Sequence, residues 1–251
     1  MMIPSLMGLG AMTVGAMAGI SYAMFNPRSQ WLGRVWTSRP DEKNRRIALT
    51  FDDGPHPQAT PKVLEILGKY RAQATFFVIG RFAEEHPDLI RQIHAQGHQI
   101  ANHTMDHHHL GTLHGRGYWI DQIRQTNDII AQIIGSEPAM FRPPMGFRSP
   151  LTMQAARRLN MQTINWSLRA RDGVATTSEA ILRRLKNHCI PGDIVLMHDG
   201  IDPHRPRDWE PTIEALPAIL EHLRDKQLHG VRVDALLGLQ GYRDVKADAQ
   251  P

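Results

Sequence analysis

Hydrophobic and polar positions along the chain switch between two patterns. Short apolar runs bounded by turn residues recur from Ile47 onward, and between them apolar residues return every three or four positions. The short runs predict buried strands, and the longer period predicts helices that bury one face. Residues 47–51 form the first such run, and it stops at the turn formers Asp52, Asp53, Gly54 and Pro55. Thr60 followed by Pro61 predicts an N-cap and a first-turn proline for a helix whose buried stripe is Val63, Leu64 and Leu67. Further strands are expected over residues 74–79, 99–102, 140–142, 161–166, 193–197 and 231–233. The helices between them include one with Leu89, Ile90 and Ile93 that ends at Gly97, one from Ile120 to Ile134, and one over residues 212–226. About seven such strand-helix units predict an α/β fold, a parallel sheet covered by helices, and the length suits closure into a barrel.

The start of the chain breaks this rhythm. Residues 1–25 carry no charged side chain and are long enough to cross a bilayer core, although glycines and serines dilute the span. Small residues at Ala16, Ala18 and Ala23 permit cleavage, while Arg28, Arg34 and Arg39 precede the first acid and favour a cytoplasmic side for the rest of the chain. The segment is expected to be a retained anchor or a signal, so the protein is expected to be membrane-anchored or exported to the cell envelope, with its orientation open. Residues 26–44 read as a linker, 45–240 as the folded domain and 241–251 as a polar tail.

A length of 251 residues suits one large single-core domain. Hydrophobic and charged fractions of 41% and 22% exclude a disordered tail, a collagen-like fibre and a polytopic membrane protein. The single cysteine, Cys189, excludes an intrachain disulfide framework and a cysteine-rich zinc module. The 29 basic residues are scattered against 25 acidic ones, which argues against a nucleic-acid partner. Histidine stands out: there are 14, five of them between His103 and His114, so metal or proton chemistry comes first to mind.

Asp53, His103 and His107 can offer one carboxylate and two imidazoles to a divalent metal. Taken alone, the two histidines fit a solvated polar loop equally well, and Asp-Asp-Gly-Pro fits an ordinary turn. Their shared address at the C-terminal ends of expected strands, where barrel enzymes collect their chemistry, raises the metal reading. Adjacent Asp52 and Asp53 would repel each other in one role. If Asp53 holds the cation, Asp52 can remain a base for the attacking water, with Arg142 as its permanent positive partner. Arg142 is otherwise a surface arginine beside a Pro-Pro turn. After Pro143 and Pro144, Met145 carries the first free backbone N–H, which suits an oxyanion donor, and Gly146 allows close approach. His198, at the end of the run 193–197, is either a satisfied core residue or a general acid whose imidazolium Asp172 would favour. Trp166, Trp209 and Leu196 can wall a slot for a small acyl group, or simply lie in the core.

Read together, these residues resemble the polysaccharide deacetylases of carbohydrate esterase family 4, which share the NodB homology domain. The likeness spans about Arg45 to Leu237. It rests on Thr50-Phe51-Asp52-Asp53-Gly54-Pro55, His103-Thr104-Met105-Asp106-His107, Arg142-Pro143-Pro144-Met145-Gly146 and Leu196-Met197-His198-Asp199, with Ala74-Thr75-Phe76-Phe77 and residues 97–102 in support. The resemblance implies a distorted (β/α) barrel and metal-dependent removal of acetyl groups, usually N-acetyl, from peptidoglycan or chitin-like sugars. It implies Asp52 as base, Asp53, His103 and His107 as ligands of zinc or alternatively cobalt, nickel or iron, the Met145 N–H as oxyanion donor and His198 as acid, with Arg142 and Asp172 tuning Asp52 and His198. Two positions depart from the family pattern. Gly173 follows Asp172 where a Trp is usual, and Met145 stands where an aromatic is frequent.

Competing expectations are a deformylase or deacetylase acting on a lipid-linked sugar at the membrane, and a non-catalytic sugar-binding protein of the envelope. A non-haem iron oxygenase also fits two histidines and one carboxylate, but leaves Asp52 and His198 without a task. Oligomeric state is left open.

Overall fold

Period-two alternation in the strands separates two interiors. In the first strand, β1 (Arg46–Asp52), Ile47, Leu49 and Phe51 join one apolar cluster, while Ala48 joins another. The pattern repeats in β2 (Thr75–Val78), where Phe76 and Val78 go one way and Phe77 the other, and in β8 (Ile194–His198), where Val195 and Met197 oppose Ile194 and Leu196. The first cluster lies between the sheet and the outer helices. It takes in Val63, Leu64 and Leu67 of α1 (Ala59–Lys69), Ile90 and Ile93 of α3 (Pro87–Ala95), and Leu216, Ile219, Leu220 and Leu223 of α7 (Glu210–Asp225). The second fills the inside of the curled sheet, where Val233, Leu236 and Leu237 of the short helix α8 (Val233–Leu237) plug it.

The computed structural model describes residues 17–109, 111–204 and 208–244. Its main sheet is parallel throughout, in the order β6-β5-β3-β2-β1-β8-β7, with β9 (His229–Val231) also beside β1. The other strands are β3 (Gln99–Asn102), β5 (Met140–Phe141), β6 (Gln162–Thr163) and β7 (Leu168–Arg169), while β4 (Ser136–Pro138) and β10 (Tyr242–Asp244) form a separate antiparallel pair. Helices α2 (Gly80–Glu85), α4 (Arg116–Ile134), α5 (Pro150–Arg158) and α6 (Ser178–His188) complete the outer layer. No ladder joins β6 to β7 among the described residues, so the barrel is distorted and open. Part of the stretch read as a linker lies in that region: Trp36 bridges to Ile164 in parallel and Ser38 to Asp193 in antiparallel fashion.

Three local expectations change. The helix after β1 starts at Ala59 with no side-chain cap, and Thr60 sits in its first turn. Its hydroxyl is engaged elsewhere, accepting from His56 N at 2.8 Å and donating to Asp199 Oδ2 at 2.6 Å. The last strand of the main sheet ends at Val231, because Val233 turns inward as the start of α8. The expected strand over residues 161–166 shortens to Gln162–Thr163, and β7, the next strand in the chain, has too few residues to show a pattern. Residues 1–16 lie outside the described residues, as does most of the polar tail. No helix of the described residues is long and apolar enough to cross a membrane.

Candidate active site and metal centre

The site forms where the strands end. Asp52 and His198 are register partners on the adjacent parallel strands β1 and β8. With a period of two they leave the sheet at one level on the same face, the inner one. Asp53 then leaves the strand in a left-handed conformation (φ +69°), and Thr104, His107 and Met145 in the neighbouring loops share this region at φ +68°, +51° and +57°. Such backbone costs a non-glycine residue about 1–3 kcal/mol, so packing must hold it.

Asp53, His103 and His107 are all buried, and their donor atoms lie within 4.8 Å of one another. Asp53 Oδ1 is 3.5 Å from His103 Nε2 and 3.4 Å from His107 Nε2. His103 Nδ1 lies 2.7 Å from the carbonyl of Arg142, which can only accept, so Nδ1 carries the proton and Nε2 turns its lone pair toward Asp53. Two imidazoles and a carboxylate arranged in this way fit a borderline divalent cation. The loop that carries His107 is clamped from α4 by Gln122, whose Oε1 accepts from the N–H groups of Met105 and Asp106, both at 3.0 Å, and whose Nε2 donates to Asp106 at 2.8 Å. Asn102, beneath it, accepts from Thr104 N at 2.8 Å and donates to Ile123 O and Asn127 Oδ1.

Asp52 does not compete for the same place. Its Oδ1 accepts from Arg142 at 2.6 Å, and its Oδ2 lies 3.7 Å from His103 Nε2. The Arg142 guanidinium is fully buried, also donates to Thr50 Oγ1, Ile164 O and Asn165 O, and lies 3.8 Å over the Phe77 ring. Burial acts against its charge and Asp52 supports it. Across the site Asp172 accepts three hydrogen bonds: Oδ1 is 2.7 Å from the His198 ring Nδ1, while Oδ2 takes the His198 backbone N–H at 2.9 Å and the Thr212 hydroxyl at 2.9 Å. Two of these bonds come from His198 and the third from α7.

These groups face a cavity of about 300 Å³ lined by Asp52, Asp53, His103, His107, Asp172 and His198. Met145, Trp166, Val174 and Leu196 supply its apolar wall. Gly173 also lines it, so at the position where a Trp was expected the wall is left to neighbours. Trp209 does not line it. That ring lies tilted against His56, at 5.7 Å, and carries Lys62 at 4.7 Å.

Sequence reasoning placed Asp199 in a motif without giving it a role, and passed over Gln122, Thr212 and Asp202. Asp199 is buried against Thr60, and burial pushes its carboxyl up to about 7, the Thr60 hydroxyl opposing and the charges of Asp53 and Asp52 adding. Its place directly after His198 was the available signal. Gln122 and Thr212 gave none, since each lies within a helix.

The curled parallel sheet with helices outside and an Asp-His-His cluster at its C-terminal rim defines a barrel hydrolase. The chain belongs to the polysaccharide deacetylase family, whose sequence model matches residues 39–164. It is 37% identical over 174 residues to a chitooligosaccharide deacetylase of Azorhizobium caulinodans, covering 69% of this chain and 82% of that protein. A peptidoglycan-N-acetylglucosamine deacetylase of Bacillus cereus is 36% identical over 198 residues, 76% of this chain and 87% of the relative. The crystal structure of a peptidoglycan N-acetylglucosamine deacetylase superposes with a TM-score of 0.77 at 28% identity, over 83% of this chain and 95% of the other.

Proposed function

We propose that the chain hydrolyses the acetamide of N-acetylated amino sugars in chitin-like or peptidoglycan glycans and releases acetate. Asp53, His103 and His107 would hold a divalent cation, zinc foremost. The chemistry such a cation would supply, when bound by these residues, is polarisation of the acetyl carbonyl and acidification of water. Asp52, held and aimed by the 2.6 Å bond from Arg142, takes the proton of the attacking water. The Met145 N–H, set by two prolines and a left-handed φ, donates to the developing oxyanion. His198, its ring held through Nδ1 by Asp172, gives its Nε2 proton to the departing amine. The apolar wall of Trp166, Leu196 and Val174 accommodates the acetyl methyl, and the cavity is large enough for one sugar residue.

The observation that carries this reading is the placement of Asp52 and His198 as register partners flanking the Asp53 cluster. The test is acetate release from chitooligosaccharides and from peptidoglycan strands, with zinc, cobalt, nickel or iron added. Asp52→Asn is expected to lower kcat by roughly 10²–10⁴ while metal content stays unchanged. Turnover like wild type in that variant, or no acetate from either glycan, overturns the proposal.

A membrane-linked site of action has one supporting observation. Residues 17–25 are helical and expose Met17, Ile20, Tyr22 and Phe25, and Phe25 packs edge-on against Phe147, two residues beyond Met145. The described end of the uncharged segment, at Phe25, therefore packs beside the loop that carries Met145. A reporter fused at the C-terminus, read in fractionated cells, distinguishes an envelope-facing domain from a cytoplasmic one acting on a lipid-linked sugar.

A further inference from the structure

Four histidines that the proposed reaction leaves unused, His108, His109, His114 and His204, gather on one side of the metal-ligand cluster. The ring of His109 is 5.3 Å from those of His107 and His204, and His108 is 5.6 Å from His204 and from His114. Asp202 joins this group to the cluster. Its Oδ2 is 2.6 Å from His109 Nε2, and its Oδ1 is 3.4 Å from His107 Nδ1. His107 thus turns Nε2 to Asp53 and Nδ1 to Asp202. It is 2% exposed, yet its Nδ1 has no hydrogen-bond partner among the described residues, because the approach of Asp202 misses hydrogen-bond alignment.

We propose that His109, Asp202 and the Nδ1 face of His107 form a second site for a borderline divalent cation such as zinc, cobalt, nickel or copper. The three donor atoms lie within 4.8 Å of one another, a spread that a single ion can draw together. A simpler role for Asp202 is to orient His107 by accepting its Nδ1 proton. That role requires an aligned bond, which the 3.4 Å approach of Asp202 to His107 Nδ1 does not make, while the 2.6 Å hydrogen bond between His109 Nε2 and Asp202 Oδ2 is one that a cation would replace. A cation satisfies both: it takes the buried lone pair of Nδ1 and binds the nearby carboxylate and imidazole. The His204 backbone N–H, 2.9 Å from Asp202 Oδ1, already steadies the carboxylate. Holding a cation on each face would require His107 to release its ring proton to solvent, and the negative charges of the ring, Asp53 and Asp202 would then offset the two ions. His109 and Asp202 lie outside the short motifs on which the family resemblance rests.

The inference rests on the reading of His107 as a ligand of the first ion only through the shared ring, and metal counting separates the two. The full chain, stripped of metal and dialysed against excess Co²⁺, is analysed by elemental mass spectrometry and visible absorption. Two cobalt ions are expected in wild type and in His114→Gln, one in His109→Gln and one in His103→Gln, with two distinct affinities in the wild-type absorption titration. One ion in wild type and in His109→Gln, with none in His103→Gln, overturns the second site and leaves the first standing. One ion in wild type and in His103→Gln, with none in His109→Gln, supports the second site and overturns the first. Loss of an ion from His114→Gln refutes the ligand set. His109 is partly exposed, so its substitution is not expected to unfold the chain, and the wild-type titration alone can refute two sites by showing one.

Discussion

At the scale of the residue, Arg142 decides the character of Asp52. One guanidinium nitrogen serves both Asp52 and Thr50, and the other two nitrogens reach backbone carbonyls of residues 164 and 165. A planar fork can do this and an ammonium cannot. Arg142→Met strands a buried carboxylate and is expected to cost about 3–5 kcal/mol of stability. Arg142→Lys should recover part of that stability but not turnover, because a lysine holds Asp52 by charge alone. Urea unfolding and kcat, measured on both variants, check this. A lysine variant with wild-type kcat would show that geometry at Asp52 is unimportant. Asp52, Asp53, His103, His107, Arg142 and His198 were legible in the sequence as candidates because each is a reactive side chain beside a turn former or at a run's end. Gln122 was not, because an amide within a helix looks like any solvated position until the loop it clamps is folded against it.

At the scale of the element, the site depends on how the loops after β1 and β8 meet. A Cβ on Gly200 would lie 2.0 Å from the carbonyl oxygen of Asp53 and 2.5 Å from Gly54 N. Both are backbone atoms, so nothing soft can yield, and the loop that aims Asp53 must move. Gly200→Ala is expected to weaken metal binding by roughly tenfold or more, the range seen when a ligand's support is disturbed. Competition with a chromophoric chelator measures this, and an unchanged affinity would show that the two loops are independent. The elements themselves were largely readable, since buried strands and one-faced helices have different periods. Where the reading slipped, at Thr60 and at β6 and β7, a tertiary partner overrode the local signal or there was too little of it. Asp199 claimed the Thr60 hydroxyl that a cap would have used, and two-residue strands carry no period at all.

At the scale of the whole molecule, stability is coupled to pH by a group far from the chemistry. His98, just before β3, is buried, accepts from Ala74 N at 3.2 Å, and packs edge-on against Phe76. Burial, with the charge of Arg232 adding, lowers its pKa to about 4. The unfolded chain takes up this proton near the ordinary value of about 6.5, so between the two values the unfolded state binds more protons. Stability is therefore complete above about 6.5, declines as pH falls and levels off below about 4, a loss of about 3 kcal/mol. His98→Asn keeps an acceptor for Ala74 and removes the titration. Its stability is expected to fall less than that of wild type between pH 7.5 and 4.5 when both are unfolded in urea in the same metal state. Parallel pH profiles would refute the assignment.

The linear chain by itself determined the class of fold, the family and the motifs that hold the reactive residues, because strand and helix periods and short motifs are local properties. Only the folded chain decided that Asp52 and His198 stand side by side, since that depends on the register of two strands whose partners lie 146 residues apart in sequence. The left-handed backbone at Asp53, Thr104, His107 and Met145 is also a tertiary decision. No residue type there announces it, and it persists because surrounding contacts outweigh its local cost. The same holds for Asp202, an unremarked acid in the sequence, which the fold brings to the second face of His107.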